Sequence, residues 1–266
     1  MKKPFKQGSA LIDEIDQTTG DSPALWWLGR SGFVVKCEGM VFYVDPCLST
    51  PTGRERIAES PLAPEQAVNA DLILCTHAHP SHMDPGTLPA MLKASPRARV
   101  VLPKSAADHA SSIGMPYDRM TTTDSGLRVE FFKGGPYSRV YSVPSAHPKL
   151  DWTPIGGYPY LGYMMRFGEH TIYHAGDCRH YDGIVDRLRP YNVTAALLPI
   201  GGEGNFDIAG AAQLAEDIQA RWLVPMHYGT FADEHVDIGR FVDHMLGFRP
   251  SIGFKVFGLG ERWIVP

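Results

Sequence analysis

Short apolar runs alternate with polar breaks along most of this chain. Leu25 to Leu28, Phe33 to Cys37 and Val41 to Val44 are apolar, β-branched and aromatic segments parted by Gly29, Gly32 and the Glu38-Gly39 pair. That pattern predicts a meander of hairpins. Strands are also expected at Asp71 to Cys75, Arg99 to Leu102, Leu127 to Phe132 and Val140 to Val143, and a second set at Leu161 to Phe167, Thr171 to His174, Ala195 to Pro199 and Trp222 to Met226. Helical spacing falls between them. Leu88, Met91 and Leu92 share one face of Gly86 to Ala94, a second helix is expected near Ser105 to Ser112, and a third over Ile208 to Ala220, with Asp207 placed to accept from its first-turn amides. Two β-rich halves with helices after the strands suggest sheet packed on sheet with helices outside.

Residues 1–22 are polar and weakly periodic, and read as an N-terminal arm. The remainder, 23–266, reads as one domain, since 266 residues at 44% hydrophobic content can bury a large core. Leu48 to Pro64, rich in Pro, Ser, Thr and charge, is a loop, either a flap over a site or a solvated connection.

Charge and composition narrow the partners. A net charge of −4 gives no basic field for a polyphosphate backbone, which argues against nucleic acid. No apolar run is long enough to span a bilayer, and the charged start Met1 to Gln7 leads into no apolar stretch. The expectation is a cytoplasmic protein with no membrane partner; an oligomer stays open. Cys37, Cys47, Cys75 and Cys178 show no C-x-x-C spacing and read as buried small residues.

The chemistry concentrates in Thr76-His77-Ala78-His79-Pro80-Ser81-His82-Met83-Asp84, directly after an apolar strand. Three imidazoles and a carboxylate in so short a loop can converge on one or two ions, and neutral imidazole suits zinc, manganese and iron. His147, His174, Asp177, His180 and His227 recur at later strand-to-loop transitions, where a composite site needs them.

These residues resemble the metallo-β-lactamase superfamily, whose signature H-x-H-x-D-H matches His77, His79 and His82, and whose later ligands match His147, Asp177 in His174-Ala175-Gly176-Asp177, and His227 in Pro225-Met226-His227-Tyr228. Leu25 to Phe33, the Val44-Asp45-Pro46 turn and Ile172 to Asp177 look most like the branch that includes L-ascorbate-6-phosphate lactonase. The resemblance implies a four-layer αββα sandwich. It also implies that His77, His79 and His147 hold one ion, that His82 and His227 hold a second, and that Asp177 bridges them. One departure stands out: Ser81 replaces the family's Asp, so the second position is expected to be weak, unless Asp84 turns inward.

By the same resemblance Asp45 supports a ligand histidine, and its alternative is a plain turn before Pro46. His174 and His180 flank Asp177 as candidates for proton transfer, or are structural. Arg30 and Lys149 are the basic residues nearest the expected mouth, and Trp152, Tyr158, Tyr160 and Tyr163 either floor a pocket or pack in the core. The expected activity is hydrolysis of a small anionic ester or lactone by metal-activated water, with zinc or manganese as the ion. The alternatives are a phosphodiesterase or phospholipase D-like hydrolase, and a non-catalytic metal-binding protein of this fold.

Overall fold

In strand β1 (Ala24–Gly29) every side chain is buried, yet alternate residues serve different layers: Leu25 and Trp27 join one core, Trp26 and Leu28 another. Strands β2 (Gly32–Cys37), β3 (Met40–Val44) and β4 (Leu72–Leu74) repeat this, with Phe33, Phe42 and Leu74 on one side and Val34, Tyr43 and Ile73 on the other. A sheet covered on both faces needs unbroken apolar strands of this kind. The computed structural model describes residues 1–248 and 250–266.

Strands β5 (Arg99–Pro103), β6 (Met120–Thr123) and β14 (Arg262–Ile264) complete the first sheet, in the order β14-β1-β2-β3-β4-β5-β6. The second contains β7 (Arg128–Phe132), β8 (Tyr137–Pro144), β9 (Leu161–Phe167), β10 (His170–His174), β11 (Ala195–Pro199), β12 (Trp222–Met226) and β13 (Gly253–Phe254), in chain order from one edge to the other. In each sheet an antiparallel meander leads into parallel strands, β3 to β6 in one and β10 to β13 in the other. The sheets meet face to face. Phe42 packs on Phe167 with ring centroids 5.3 Å apart, and the Tyr163 hydroxyl donates to the Cys75 carbonyl at 2.8 Å.

Helices cover the outer faces. Helix α1 (Gly8–Gln17) buries Leu11, Ile12 and Ile15 in the core on the outer side of the first sheet, together with α2 (Leu88–Ala94) and α3 (Ala107–Ser112). The segment read as a polar arm therefore carries a helix, whose three apolar residues are diluted by the charged face of the same two turns. On the second sheet lie α4 (Ile184–Leu188), α5 (Ile208–Asp217) and α6 (Ile238–Phe248). Asp207 caps α5, its Oδ1 accepting from the Gly210 amide at 2.7 Å. Two sheets with flanking helices form the α/β sandwich of the expected type.

This topology sets the site. Strands β3, β4, β10, β11 and β12 end in Val44, Leu74, His174, Pro199 and Met226, and their carboxyl ends share one edge of the sandwich. Loops at such an edge collect functional side chains. The 48–64 loop is pinned beside it, since the Ile57 amide donates to the Thr230 carbonyl at 2.9 Å and the Ala232 amide to that of Glu55 at 2.9 Å. No described helix is long and apolar enough to cross a membrane.

Candidate metal centre

Asp177 stands between two sets of histidines. Its Oδ1 lies 3.0 Å from His82 Nε2 and 3.1 Å from His227 Nε2, while its Oδ2 lies 3.5 Å from His147 Nε2 and 3.8 Å from His77 Nε2. His79 completes the second set with Nδ1 3.0 Å from His77 Nε2. Ligand atoms within 4.8 Å of one another define two groups, His77 with His82 and Asp177, and His79 with His147 and Asp177. Asp177 belongs to both.

The backbone forces this approach. Asp177 follows Gly176, whose φ is +62° and where a Cβ would meet the Thr76 Cβ at 2.8 Å and the Leu161 carbonyl oxygen at 3.0 Å. Only glycine fits there, so the Asp177 turn can lie against the histidine loop. Asp45 and His227 also take left-handed backbone, at φ 44° and 70°, conformations that ordinary residues adopt at a cost and that cluster at functional sites.

A hydrogen-bond network assigns the imidazole tautomers. Asp45 is fully buried; its Oδ1 accepts from the Thr76 amide at 2.8 Å, and its Oδ2 accepts from the Thr76 hydroxyl at 2.7 Å and from His82 Nδ1 at 2.7 Å. With its proton given to Asp45, Thr76 Oγ1 accepts from His77 Nδ1 at 3.0 Å. One carboxylate thus turns the Nε2 atoms of both His77 and His82 towards the metal position, where His82 becomes a donor once its Nε2 proton is displaced. His147 Nδ1 donates to the Gly204 carbonyl at 3.0 Å, which frees its Nε2 in the same way.

These residues fit a cation. His82 Nε2 and Asp177 Oδ1 are buried 3.0 Å apart with no other hydrogen-bond partner, so without metal a proton on His82 joins the pair, and a cation between them can take that proton's place. Burial, then the neighbouring His82 charge, holds His77 well below the usual imidazole range, and burial, then Arg30, lowers His227 to about 3. Both are neutral donors at physiological pH. Burial disfavours charge on Asp177, but His82 and His227 outweigh it and keep the carboxylate ionised.

Several candidates are placed elsewhere. His174 is buried with both ring nitrogens engaged by backbone: Nε2 donates to the Ser31 carbonyl at 2.8 Å and Nδ1 accepts from the Gly176 amide at 3.2 Å. It has no lone pair or proton to exchange with a substrate. His180 is exposed and lines an adjoining hollow with Arg179 and Asp207, which shares Glu203 and Asn205 with the cleft over the histidines. Asp84 does not turn inward; its oxygens take the Ser49 hydroxyl at 2.7 Å, the Gly86 amide at 2.9 Å and the Thr87 hydroxyl, tying the histidine loop to α2. Ser81 is only 8% exposed and sits in that loop with no carboxylate in its place. Of the aromatic residues, Tyr163 is core, Trp152 is 54% exposed, and Tyr160 packs 5.0, 5.7 and 5.4 Å from the rings of His77, His79 and His147. Lys149 is exposed.

A cleft of about 330 Å³ opens over the histidines, walled by Arg30, Arg54, Glu203, Asn205 and Glu234. Sequence reasoning had not placed Ser31, whose hydroxyl lies 2.5 Å from His227 Nε2, or Arg54 and Glu234. For Ser31 the local signal was the Gly29-Arg30-Ser31-Gly32 turn, which places it next to Arg30 of the cleft wall; Arg54 and Glu234 had none.

The profile of the beta-lactamase superfamily domain matches residues 24–227. A UPF0173 metal-dependent hydrolase of Hyperthermus butylicus is 30% identical over 231 residues, covering 82% of this chain and 90% of that one. The one from Aeropyrum pernix is 31% identical over 222 residues, covering 78% and 83%. Among solved structures, the metallo hydrolase Igni18 of Ignicoccus hospitalis superposes with a TM-score of 0.73 at 23% identity, covering 91% of this chain and 97% of that one. An isothiocyanate hydrolase from Delia radicum gut bacteria gives 0.72 at 16%, covering 91% and 99%. At those identities the superpositions speak for the fold. With the sequence matches spanning the strands and loops that carry Asp177 and the histidines, the chain belongs to the metallo-β-lactamase superfamily, among its UPF0173 metal-dependent hydrolases.

Proposed function

We propose that this chain hydrolyses a small anionic ester or lactone at the Asp177 centre. The observation that carries the reading is the division of Asp177, with Oδ1 towards His82 and His227 and Oδ2 towards His77 and His147. A carboxylate so placed can serve two ion positions at once. His77, His79 and His147 would hold the tighter ion, and His82 and His227 the second; zinc or manganese suits imidazoles with a shared carboxylate. When bound, such ions lower the pKa of water towards neutral and draw charge from the attacked carbonyl or phosphoryl oxygen.

The chain's own residues supply the rest. Asp45 holds His82 directly and His77 through Thr76, and Gly204 holds His147, so three ligands are oriented before an ion arrives. Ser81 contributes no charge, so the second position depends on two neutral imidazoles and a share of Asp177. Tyr160 packs beside the rings of His77, His79 and His147, and the walls of the cleft shape the space above the histidines.

The test is turnover by the purified chain loaded with zinc or manganese against a panel of esters, lactones and phosphodiesters. We expect ester or lactone hydrolysis, and its loss by about a hundredfold or more in Asp177→Asn, the scale seen when a central electrostatic element is removed. Selective phosphodiester cleavage would move the reading to the phosphodiesterase alternative, and a metal-loaded chain inert on every class would overturn it.

A further inference from the structure

Arg30 occupies a position that is costly for arginine. It sits in the two-residue turn between β1 and β2 at φ 48°, left-handed backbone that glycine or asparagine adopts more cheaply. Three bonds hold it there: its amide donates to the Thr230 hydroxyl at 2.7 Å, and its carbonyl accepts from the His227 amide at 3.2 Å and from Trp27 Nε1 at 3.1 Å. The turn is therefore locked to the loop that carries a candidate ligand, and its side chain forms part of the cleft wall beside His79, His147, Asp177 and His227.

The guanidinium is held without being saturated. Among the described residues its one side-chain hydrogen-bonding contact is Glu234 Oε1 at 3.4 Å, a long contact for a group with five donors, and its Nε is buried with no partner. The neighbouring Arg54 is engaged by Asp233 at 2.6 Å and by the face of Phe231 at 4.1 Å, and shares Glu234 Oε1 with Arg30 at 3.8 Å. Glu234 is in turn fixed by the Thr230 amide at 2.8 Å. Among the cations of this wall, Arg30 keeps the most open donor capacity, and its planar fork matches an oxyanion.

We propose that Arg30 is the residue that reads the substrate's anionic group: it binds a carboxylate or phosphate oxyanion of the substrate while the ester or lactone lies at the Asp177 centre. This rests on the hydrolytic reading above. It assigns the substrate class to a residue and makes Glu234 a positioning residue that aims the guanidinium. The three bonds above hold the residue in its left-handed turn despite the conformational cost.

The experiment compares the metal-loaded full chain with Arg30→Asn, which suits the left-handed turn, and Arg30→Lys, which keeps the charge and loses the fork. The substrates are 4-nitrophenyl acetate and 4-nitrophenyl hydrogen succinate, which differ by a carboxymethyl group, with 4-nitrophenyl butyrate as the uncharged control of chain length. Arg30→Asn should raise KM for the succinate ester about tenfold more than for the acetate or the butyrate, with kcat moved far less, and Arg30→Lys should fall between. Metal per chain and the melting transition identify a variant that has merely misfolded. A separate binding titration with acetate and succinate needs no turnover: succinate should lose its advantage over acetate in Arg30→Asn. Equal KM changes for all three esters, or an unaltered succinate advantage, would overturn the Arg30 assignment while leaving hydrolysis intact. Absence of turnover in the wild type with an Arg30-dependent succinate advantage would instead sink the hydrolytic reading and leave the anion receptor standing.

Discussion

Asp45 Oδ2 lies 2.7 Å from His82 Nδ1 and 2.7 Å from the Thr76 hydroxyl, which itself stands 3.0 Å from His77 Nδ1. One buried carboxylate, touching neither Asp177 nor the cleft, therefore sets the tautomer of two candidate ligands from behind.

Asp45→Asn is the sharpest test of that relationship. An amide nitrogen at the Oδ2 position cannot accept from His82, so the neutral imidazole that metal binding requires would keep its proton on Nε2, the atom that faces Asp177, rather than on Nδ1. Metal affinity should fall about 10–100-fold, the usual loss when an outer partner of a ligand histidine is removed. Metal titration of the folded variant, with circular dichroism as the control, decides it; an unchanged binding curve would separate Asp45 from the metal centre.

Gly176→Ala probes the backbone that lets Asp177 approach. The new Cβ meets Thr76 and the Leu161 carbonyl oxygen, neither of which is a flexible side-chain end, and the residue is held at φ +62°. The cost should be about 1–3 kcal/mol of stability, seen as a lowered melting temperature, with weakened metal binding because Asp177 is pushed from the histidine loop. A variant as stable as the parent would show that the turn relaxes freely.

The pH dependence of metal binding follows from His82. Burial lowers its pKa, but Asp177 and Asp45 outweigh burial and raise it to about 9 in the protein without metal. His77, His79 and His227 are all shifted down, so His82 carries the proton that an incoming ion must displace. Apparent affinity at that position should rise about tenfold per pH unit from neutrality and level off above about 9. Calorimetry in buffers of differing ionisation enthalpy counts the protons; uptake instead of release would reverse the assignment.

Much of this centre is readable from the chain because its ligands are close in sequence or lie at strand ends. His77, His79 and His82 share one loop, and His147, Asp177 and His227 each follow a strand whose register is set by burial. His174 was harder. It flanks Asp177 in sequence, yet as the last residue of β10 it is directed into the core, where the Ser31 carbonyl takes its proton. Ser31 reaches His227, and Arg30 reaches Glu234, across about two hundred residues, contacts that no local pattern encodes. Helix α1 was obscured for a different reason: Leu11, Ile12 and Ile15 make a narrow apolar stripe in a charged segment, visible as a core face only once the first sheet is there to receive it.

Ser81 stands where the resemblance noted in the sequence implies an Asp, and the consequence of that hydroxyl can be measured. It is buried in the histidine loop within the same turn as His79 and His82, and offers a neutral hydroxyl where a carboxylate would add charge and donor strength. The second ion position is left with His82, His227 and one oxygen of Asp177. Ser81→Asp should raise its occupancy, since a negative oxygen ligand compensates the repulsion between two cations better than imidazole does. If hydrolysis uses both ions, the rate at limiting metal should rise in step with bound metal per chain. If one ion suffices, metal content should rise while the rate stays level or falls, because the added charge repels an anionic substrate near Arg30. Titration with zinc and with manganese, read as bound metal beside initial rate, separates the two. Equal affinity for two ions in wild type and Ser81→Asp would show that the hydroxyl is no handicap, and that the second position draws its strength from elsewhere in the loop.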